Sequence, residues 1–288
     1  MHTYTLSWQS RQLILGPNTT IMGIVNVTPD SFSDGGRFHD VGAAVAQGER
    51  LTRDGAAIID IGGESTRPFA EDVPAKEEIA RVIPVIKALA DKIQVPISID
   101  TTKAQVAEAA IEAGASIIND ISALQMDPRM AETAARLGVP VILMHMKGTP
   151  RTMQANPVYE DVVAEVRTYL KQAAERAVAA GIDRSRIIID PGIGFGKTGR
   201  HNLKLIRRLS AFEELDLPIL VGPSRKRFIR DILKAPDQED MRPDRPEVET
   251  GTQAAVAAAI MNGAHIVRVH NVANTLAMVK VLDAIRLK

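Results

Sequence analysis

Short runs of Ile and Val recur along the chain, with longer Ala-rich stretches between them. The runs fall at 21–27, 57–61, 96–99, 116–118, 139–144, 187–189, 218–221 and 266–269, eight in all. Each is continuously apolar, the pattern of a parallel strand buried on both faces, not the alternation of a half-exposed one. Amphipathic stretches near 41–54, 77–91, 103–113, 129–137, 158–180, 201–212, 225–233 with 249–262, and 274–286 predict the helices between them. Gly55, Gly114, Gly138, Gly181 and Gly263 stand where these helices must stop. Eight β–α alternations with no break in composition predict an α/β fold, a (β/α)8 TIM barrel. The alternative is an open doubly wound sheet, which has fewer strands and one glycine-rich first turn. The pattern places all of 1–288 in one domain, with 19–288 as the barrel and 1–18 as an N-terminal extension. That extension predicts a short β-hairpin, 4–6 against 13–15, capping the barrel bottom. Residues 235–248, rich in Pro and acid, predict an exposed loop that interrupts the seventh helix.

Composition narrows the function classes. Thirty-five Lys and Arg balance 35 Asp and Glu, which argues against broad affinity for nucleic acid or an anionic membrane. A local basic site for a small anion remains open. The chain has no cysteine, so disulfides, thiolate nucleophiles and Cys-ligated zinc are excluded, and a reducing compartment fits. No secretory leader is visible at the N-terminus and no apolar run reaches about 18 residues. A cytoplasmic protein is the expectation.

In a barrel the chemistry sits where the strands end. The residues stopping the runs are Asn26, Glu64 to Arg67, Asp100, Asn119, His145, Asp190, Ser224 to Lys226, and Arg268 with His270. Solvent begins at strand ends, so any one polar residue there is unremarked. Carboxylate, amide, ammonium and guanidinium groups converging on one mouth are a different matter. The first loop, from Asn26 to Gly36, is dense in small polar residues and reads as a lid. The second, from Gly62 to Pro68, combines hydroxyls, a guanidinium and glycines, a chemistry suited to an oxyanion.

The stretch Asp190-Pro-Gly-Ile-Gly-Phe-Gly-Lys-Thr198 contains G-x-G-x-x-G from Gly194, but at the sixth βα turn and not the first. It also misses a P-loop, because Pro191 stands where that motif needs glycine. Phe195 among glycines, in a chain with ten aromatic residues, offers either a wall for a planar ligand or an anchor for its own loop. Of the six histidines, His2, His39 and His201 read as solvent-facing, and His265 as the start of a strand. His145 reads as a core histidine satisfied by backbone. His270 shares a side of the chain with Arg268. No paired-His spacing such as H-E-x-x-H occurs, which argues against a protein-caged transition metal.

Met22-Gly-Ile-Val-Asn-Val-Thr-Pro-Asp-Ser-Phe-Ser-Asp-Gly-Gly36 and Asp60-Ile-Gly-Gly-Glu-Ser-Thr-Arg-Pro68 resemble the two signature segments of the dihydropteroate synthase family. Ser98 to Thr101, Ile118 to Asp120, Leu143 to Met146, Asp190 to Gly196, Ser224 to Lys226, and Arg268 to His270 follow in that family's order, so the resemblance runs from about residue 19 onward. It implies a folate-pathway transferase on a (β/α)8 barrel, generally a homodimer, joining 6-hydroxymethyl-7,8-dihydropterin diphosphate to 4-aminobenzoate with Mg²⁺ assisting. Sulfonamides would compete for the aminobenzoate site.

By the same resemblance Asp100, Asn119, Asp190 and Lys226 would hold the pterin edges, Arg268 would lie over a ring face, and Ile121 and Met144 would line the slot. Asn26 would ligate Mg²⁺ at the diphosphate, which Thr66, Arg67, Arg268 and His270 would cradle. Pro68, Phe195, Ser224, Arg225 and Lys226 would shape the aminobenzoate side. Asp34 would stabilise a pterin cation, making Asp34, Lys226, Arg268 and His270 the catalytic set. Arg227 stands where some relatives carry serine, and Asn271 where aspartate is common. Two alternatives stay open at this point: a pterin-binding paralogue without synthase activity, and the pterin-binding module of a corrinoid methyltransferase. The latter would not need the first two loops or the Arg268 and His270 pair.

Overall fold

The computed structural model describes residues 2–28, 37–65, 72–237 and 239–286, with only the backbone described at 37–40. The chain opens on two antiparallel strands, β1 (Tyr4–Trp8) and β2 (Arg11–Leu15). Among the described residues eight parallel strands follow: β3 (Thr20–Asn26), β4 (Ile58–Gly62), β5 (Ile97–Asp100), β6 (Ile117–Asp120), β7 (Val141–Met144), β8 (Ile187–Asp190), β9 (Leu220–Val221) and β10 (Ile266–Val269). They pair in chain order from β3 to β8, and β10 lies between β3 and β9. A single parallel bridge from Ile189 to Ile219, just ahead of β9, completes the ring. This is the TIM barrel that the run pattern predicts.

The strands bury both faces because the sheet faces an apolar interior on one side and helices on the other. The helices are α1 (Arg37–Arg53), α2 (Ala75–Ala90), α3 (Ala104–Glu112), α4 (Met130–Leu137), α5 (Val162–Ala179), α6 (Gly199–Arg207), α7 (Arg227–Leu233), α8 (Pro246–Met261) and α9 (Val272–Arg286). In α2 the buried positions Glu78, Val82, Val85, Ile86 and Leu89 follow a helical period and form the face turned to the barrel. No helix of the described residues is long and apolar enough to cross a membrane.

Several helix limits differ from the sequence expectation. Helix α5 begins at Val162 and not near 158, because the Asp161 carboxylate accepts the Val163 N–H. Helix α6 ends at Arg207, and a 3-10 segment, Leu209–Leu215, continues the chain. Pro246 at the first helical position starts α8 earlier than 249. The five helix-stopping glycines all have positive φ. His201 is not simply solvent-facing: it is half-buried in a capping box with Thr198. His265 is buried just before β10, and the side chain of His39 lies outside the described residues.

The hairpin closes the barrel at the N-terminal ends of the strands. Its register pairs Tyr4 with Leu15 and Leu6 with Leu13. Leu6, Trp8 and Leu15 are buried in the main core. Arg186 Nε donates to Ser7 O at 2.9 Å, Arg11 donates to Gln94 O at 3.0 Å, and the Tyr4 ring meets His265 edge-on with centroids 5.1 Å apart. Thr19, entering β3, donates its N–H and hydroxyl to the Asp283 carboxylate at 2.8 and 2.9 Å, so the first barrel strand is fastened to α9.

Trp8 is the only tryptophan of the chain and is 1% exposed. Trp8→Ala is expected to remove about 3–5 kcal/mol of stability. Denaturant unfolding followed by far-UV circular dichroism measures it, and activity per folded molecule should be unchanged.

Candidate active site

The strand register brings alternate residues of neighbouring strands onto the inner face of the barrel. Asn26 pairs with Gly62, Gly62 with Asp100, Asp100 with Asn119, Met144 with Asp190, and Arg268 with Met22. At the centre stands Arg268. Its Nε donates to Asp60 Oδ2 at 2.6 Å and its Nη2 to Asp100 Oδ2 at 2.7 Å. The Asn119 amide nitrogen lies 3.2 and 3.4 Å from the two oxygens of Asp60. Strands β4 and β5 are therefore tied to β10 through one guanidinium, and β6 joins them through the Asn119 amide on Asp60.

Burial raises the pKa of Asp100 and of Asp190. Asp100 is pushed well above the usual carboxylate range by burial, with Asp60 and Glu78 adding to the rise and Arg268 opposing it. Asp190 is pushed up to about 6 by burial, against the Gly192 N–H bond and the charges of Lys197, Lys226 and Arg268. Burial works against the charge on Arg268, yet Asp60 and Asp100 hold its pKa above the ordinary value. The mouth thus holds a fixed cation and carboxyls poised near neutrality.

Beyond Asp190 the loop of glycines lies directly on the end of β7. Gly192 has φ +68°, and a Cβ there would stand 2.0 Å from His145 O, so only glycine fits. Gln154 Nε2 donates to Gly194 O at 2.7 Å, Asn202 Oδ1 accepts the Gly194 N–H at 2.8 Å, and Tyr159 OH donates to Gly196 O at 2.8 Å. This bracing presents Phe195, whose ring centroid is 4.0 Å from Lys226 Nζ. Ile121, Met144, Met146, Met153 and Phe195 form an apolar cluster separate from the main core. The Phe195 wall and the Ile121 and Met144 slot expected from the sequence belong to this one cluster.

His270 Nδ1 lies 2.9 Å from Ser224 Oγ, which orients the ring next to Arg268 along β10. Arg225 differs from its neighbours. With φ +58° it turns toward α8, its N–H donating to Thr252 Oγ1 at 3.1 Å and its Nε lying 3.8 Å from Glu249. Asp34, Thr66, Arg67 and Pro68 lie outside the described residues. The base of their second loop is described: Glu64 accepts Lys103 Nζ at 2.6 Å and the Val73 N–H at 2.8 Å, and Lys103 also donates to buried Glu78 at 2.7 Å.

Several residues of this mouth were not singled out from the sequence. Asp60 sits inside Ile58-Ile59-Asp60-Ile61, and a carboxylate in such a run signals a buried charge that needs a partner. Met146 and Met153 carried no distinguishing signal. His145 is buried, as expected, but its ring is satisfied by a lysine: Nδ1 lies 2.9 Å from Lys197 Nζ. A cleft of about 450 Å³ lined by Arg167, Lys171, Arg184 and Glu214 lies elsewhere, on the outer wall along α5.

Comparison with known proteins agrees with this geometry. The family described as "Pterin binding enzyme" matches residues 22–270. The dihydropteroate synthase of Synechocystis sp. is 47% identical over 270 residues, covering 94% of this chain and 91% of the relative. A Xanthomonas albilineans dihydropteroate synthase solved with 4-aminobenzoic acid superposes with a TM-score of 0.91 at 44% identity, covering all of both chains. The same organism's enzyme in complex with 7,8-dihydropteroate gives 0.87 at 42% identity, over 99% of each chain. The chain belongs to the dihydropteroate synthase family of pterin-binding enzymes.

Proposed function

We propose that the chain condenses 6-hydroxymethyl-7,8-dihydropterin diphosphate with 4-aminobenzoate to give 7,8-dihydropteroate and diphosphate. The observation that carries the reading is the convergence of Asp100, Asn119, Asp190 and Arg268 over the Ile121 and Met144 slot, with Lys226 against Phe195 beside it. A pterin edge offers an adjoining ring N–H and exocyclic amine, which an ionised Asp190 accepts together. Asp100 and Asn119 take the opposite edge, and the Arg268 guanidinium lies flat on the ring. Lys226 donates to the pterin carbonyl or a ring nitrogen. The aminobenzoate ring stands against Phe195 and Pro68, the side on which a sulfonamide would compete.

The bond that breaks joins the pterin methylene carbon to diphosphate oxygen, and the bond that forms joins that carbon to the aniline nitrogen, which then loses a proton. Arg268 and His270, with Thr66 and Arg67, bind the departing anion and concentrate its negative charge away from the carbon. Asp34 supplies a negative charge that stabilises the cationic pterin left behind in this scheme. Diphosphate leaves first in this scheme, and no covalent enzyme intermediate is needed. Proximity of the two rings supplies much of the remaining acceleration.

Asn26 ends β3 in register with Gly62 and supplies a neutral amide oxygen at the mouth, a donor suited to a hard ion. Among the described residues no three His, Asp or Glu side chains are grouped to cage a metal. The donor set therefore fits Mg²⁺ that takes its remaining ligands from diphosphate and water. When bound, the ion would neutralise charge on the leaving diphosphate. The lack of cysteine supports a cytoplasmic setting. A homodimer is supported by Leu203, Ile232, Leu233, Met261, Val281 and Ile285, exposed large apolar residues on the mutually packed helices α6 to α9.

Incubating the purified protein with both substrates and Mg²⁺ should yield dihydropteroate, detected by mass spectrometry; no product would refute the reading. With the pterin diphosphate alone, diphosphate should be released at a measurable rate, and strict dependence on aminobenzoate would sink the ordered version. Asp190→Asn should lower kcat/KM for the pterin about 100-fold, as expected when a charged hydrogen bond is lost. Because Asp190 is held up to about 6, it gains a proton and loses its acceptor as pH falls. Calorimetric pterin affinity should therefore drop about tenfold from pH 7 to pH 5, in proportion to the ionised fraction. In sedimentation equilibrium the chain should run as a dimer, and Ile232→Glu should shift it to monomer.

A further inference from the structure

The buried group left without a part in this scheme is Lys197. It occupies the lysine position of the near-miss P-loop, yet it is only 3% exposed. Its Nζ lies 2.9 Å from Phe195 O, 3.3 Å from His145 O and 2.9 Å from His145 Nδ1. An ammonium has three protons and no lone pair, so these three acceptors use all of its donors. His145 therefore accepts through Nδ1 and carries its ring proton on Nε2. Burial, with the charges of Lys197 and Lys147, pushes the His145 pKa down to about 2, which keeps the ring neutral for that role.

The lysine is thus a cross-link between the end of β7 and the loop that follows β8. One end is the residue after β7, whose N–H donates to Asp190 O at 2.9 Å. The other is the carbonyl of Phe195 itself. A buried cation is costly unless its partners are fixed in place, and here two of the three are backbone carbonyls. The groups that face it are known. Tyr159, leading to α5, and Tyr169 on α5 pack against His145, Asp190 ends β8, His201 opens α6, and Lys226 follows β9. Burial draws the Lys197 pKa down to about 7, with Lys226 adding to the fall and Asp190 opposing it. Reciprocally, Lys197 is among the charges that restrain the rise at Asp190.

We propose that Lys197 is a positioning residue for the reaction, serving both half-sites from behind the substrate. On one side it fixes the Phe195 carbonyl and so the aromatic wall against which Lys226 and the aminobenzoate stand. On the other it places a positive charge behind Asp190 and keeps that carboxylate ionised for the pterin edge. It touches neither substrate. This inference rests on the synthase reading above.

The test is steady-state kinetics of the full chain with each substrate varied, across pH 5–9, after the wild type has been shown to make dihydropteroate. A wild type without product defeats the synthase reading; the variants test Lys197 alone. Lys197→Met keeps the length and loses the charge. It should raise KM for aminobenzoate about tenfold and move the acid limb of kcat/KM for the pterin up by roughly one pH unit. Calorimetric pterin binding should show the same pH shift without turnover. A variant that only melts earlier, with both KM values and the limb unmoved, overturns the proposal. If Lys197→Met does not fold, Lys197→Arg carries the test. It keeps the charge but mismatches the three acceptors, so KM for aminobenzoate should rise about fivefold while the acid limb stays in place. An Arg variant with wild-type KM, or with a displaced limb, is equally fatal.

Discussion

A guanidinium at the end of β10 is the condition under which this mouth can exist. Asp60 is fully buried and Asp100 nearly so, and Arg268 reaches both within 2.7 Å. Removing one partner of such a buried pair leaves an uncompensated charge, a cost of about 3–5 kcal/mol. The rest of the site is arranged around that neutralisation. Asn119 turns its amide to Asp60, and Asp190 accepts the Gly192 N–H through Oδ1 at 2.7 Å. Because the guanidinium is tied through Nε and Nη2, its plane is fixed across the mouth. Charge balance in the interior and ligand geometry at the mouth are one requirement.

The barrel was legible in the sequence for a simple reason. Parallel strands buried on both faces must be continuously apolar, and eight such runs mark them out. What was less legible is where pairing stops. The run at 218–221 is reduced to Leu220–Val221, because Pro218 has no N–H to give and Gly222-Pro223 ends the strand. Helix starts shifted wherever a side-chain cap such as Asp161 decided them. The roles of the site residues came from the family resemblance, and the geometry then sorted them unevenly. Ser224, Arg225 and Lys226 look alike as a polar triplet. One left-handed residue splits them, sending Ser224 to His270, Arg225 to α8 and Lys226 to Phe195. Asp60 was visible as a residue and invisible as a partner, since its use depends on a guanidinium 208 positions away.

Precision in this site is built from side chains gripping backbone. Gln154, Tyr159, Asn202 and Lys197 each hold a main-chain atom of the 192–196 loop, and Asp120 does the same after β6. Its carboxylate accepts the N–H groups of Ser122 and Leu124 at 2.7 and 3.2 Å. That grip sustains left-handed Ala123 and Leu124, a conformation costing about 1–3 kcal/mol at each residue, beside Ile121 in the slot. Substrate walls set on a braced main chain keep their place when a neighbouring side chain changes.

The N-terminal hairpin has a consequence for how the molecule is made. Beyond Gln94, 83 positions from Arg11, its partners Arg186, Asp216 and His265 lie 179 to 261 positions further along, and Asp283 lies 264 positions from Thr19. During synthesis the hairpin therefore waits for segments made long after it. Until β10 emerges, β3 lacks one neighbour. Such non-local pairing slows folding and prolongs exposure of an open sheet edge to other chains. The extension that seals the barrel thus also makes its completion wait on the synthesis of β10 and α9.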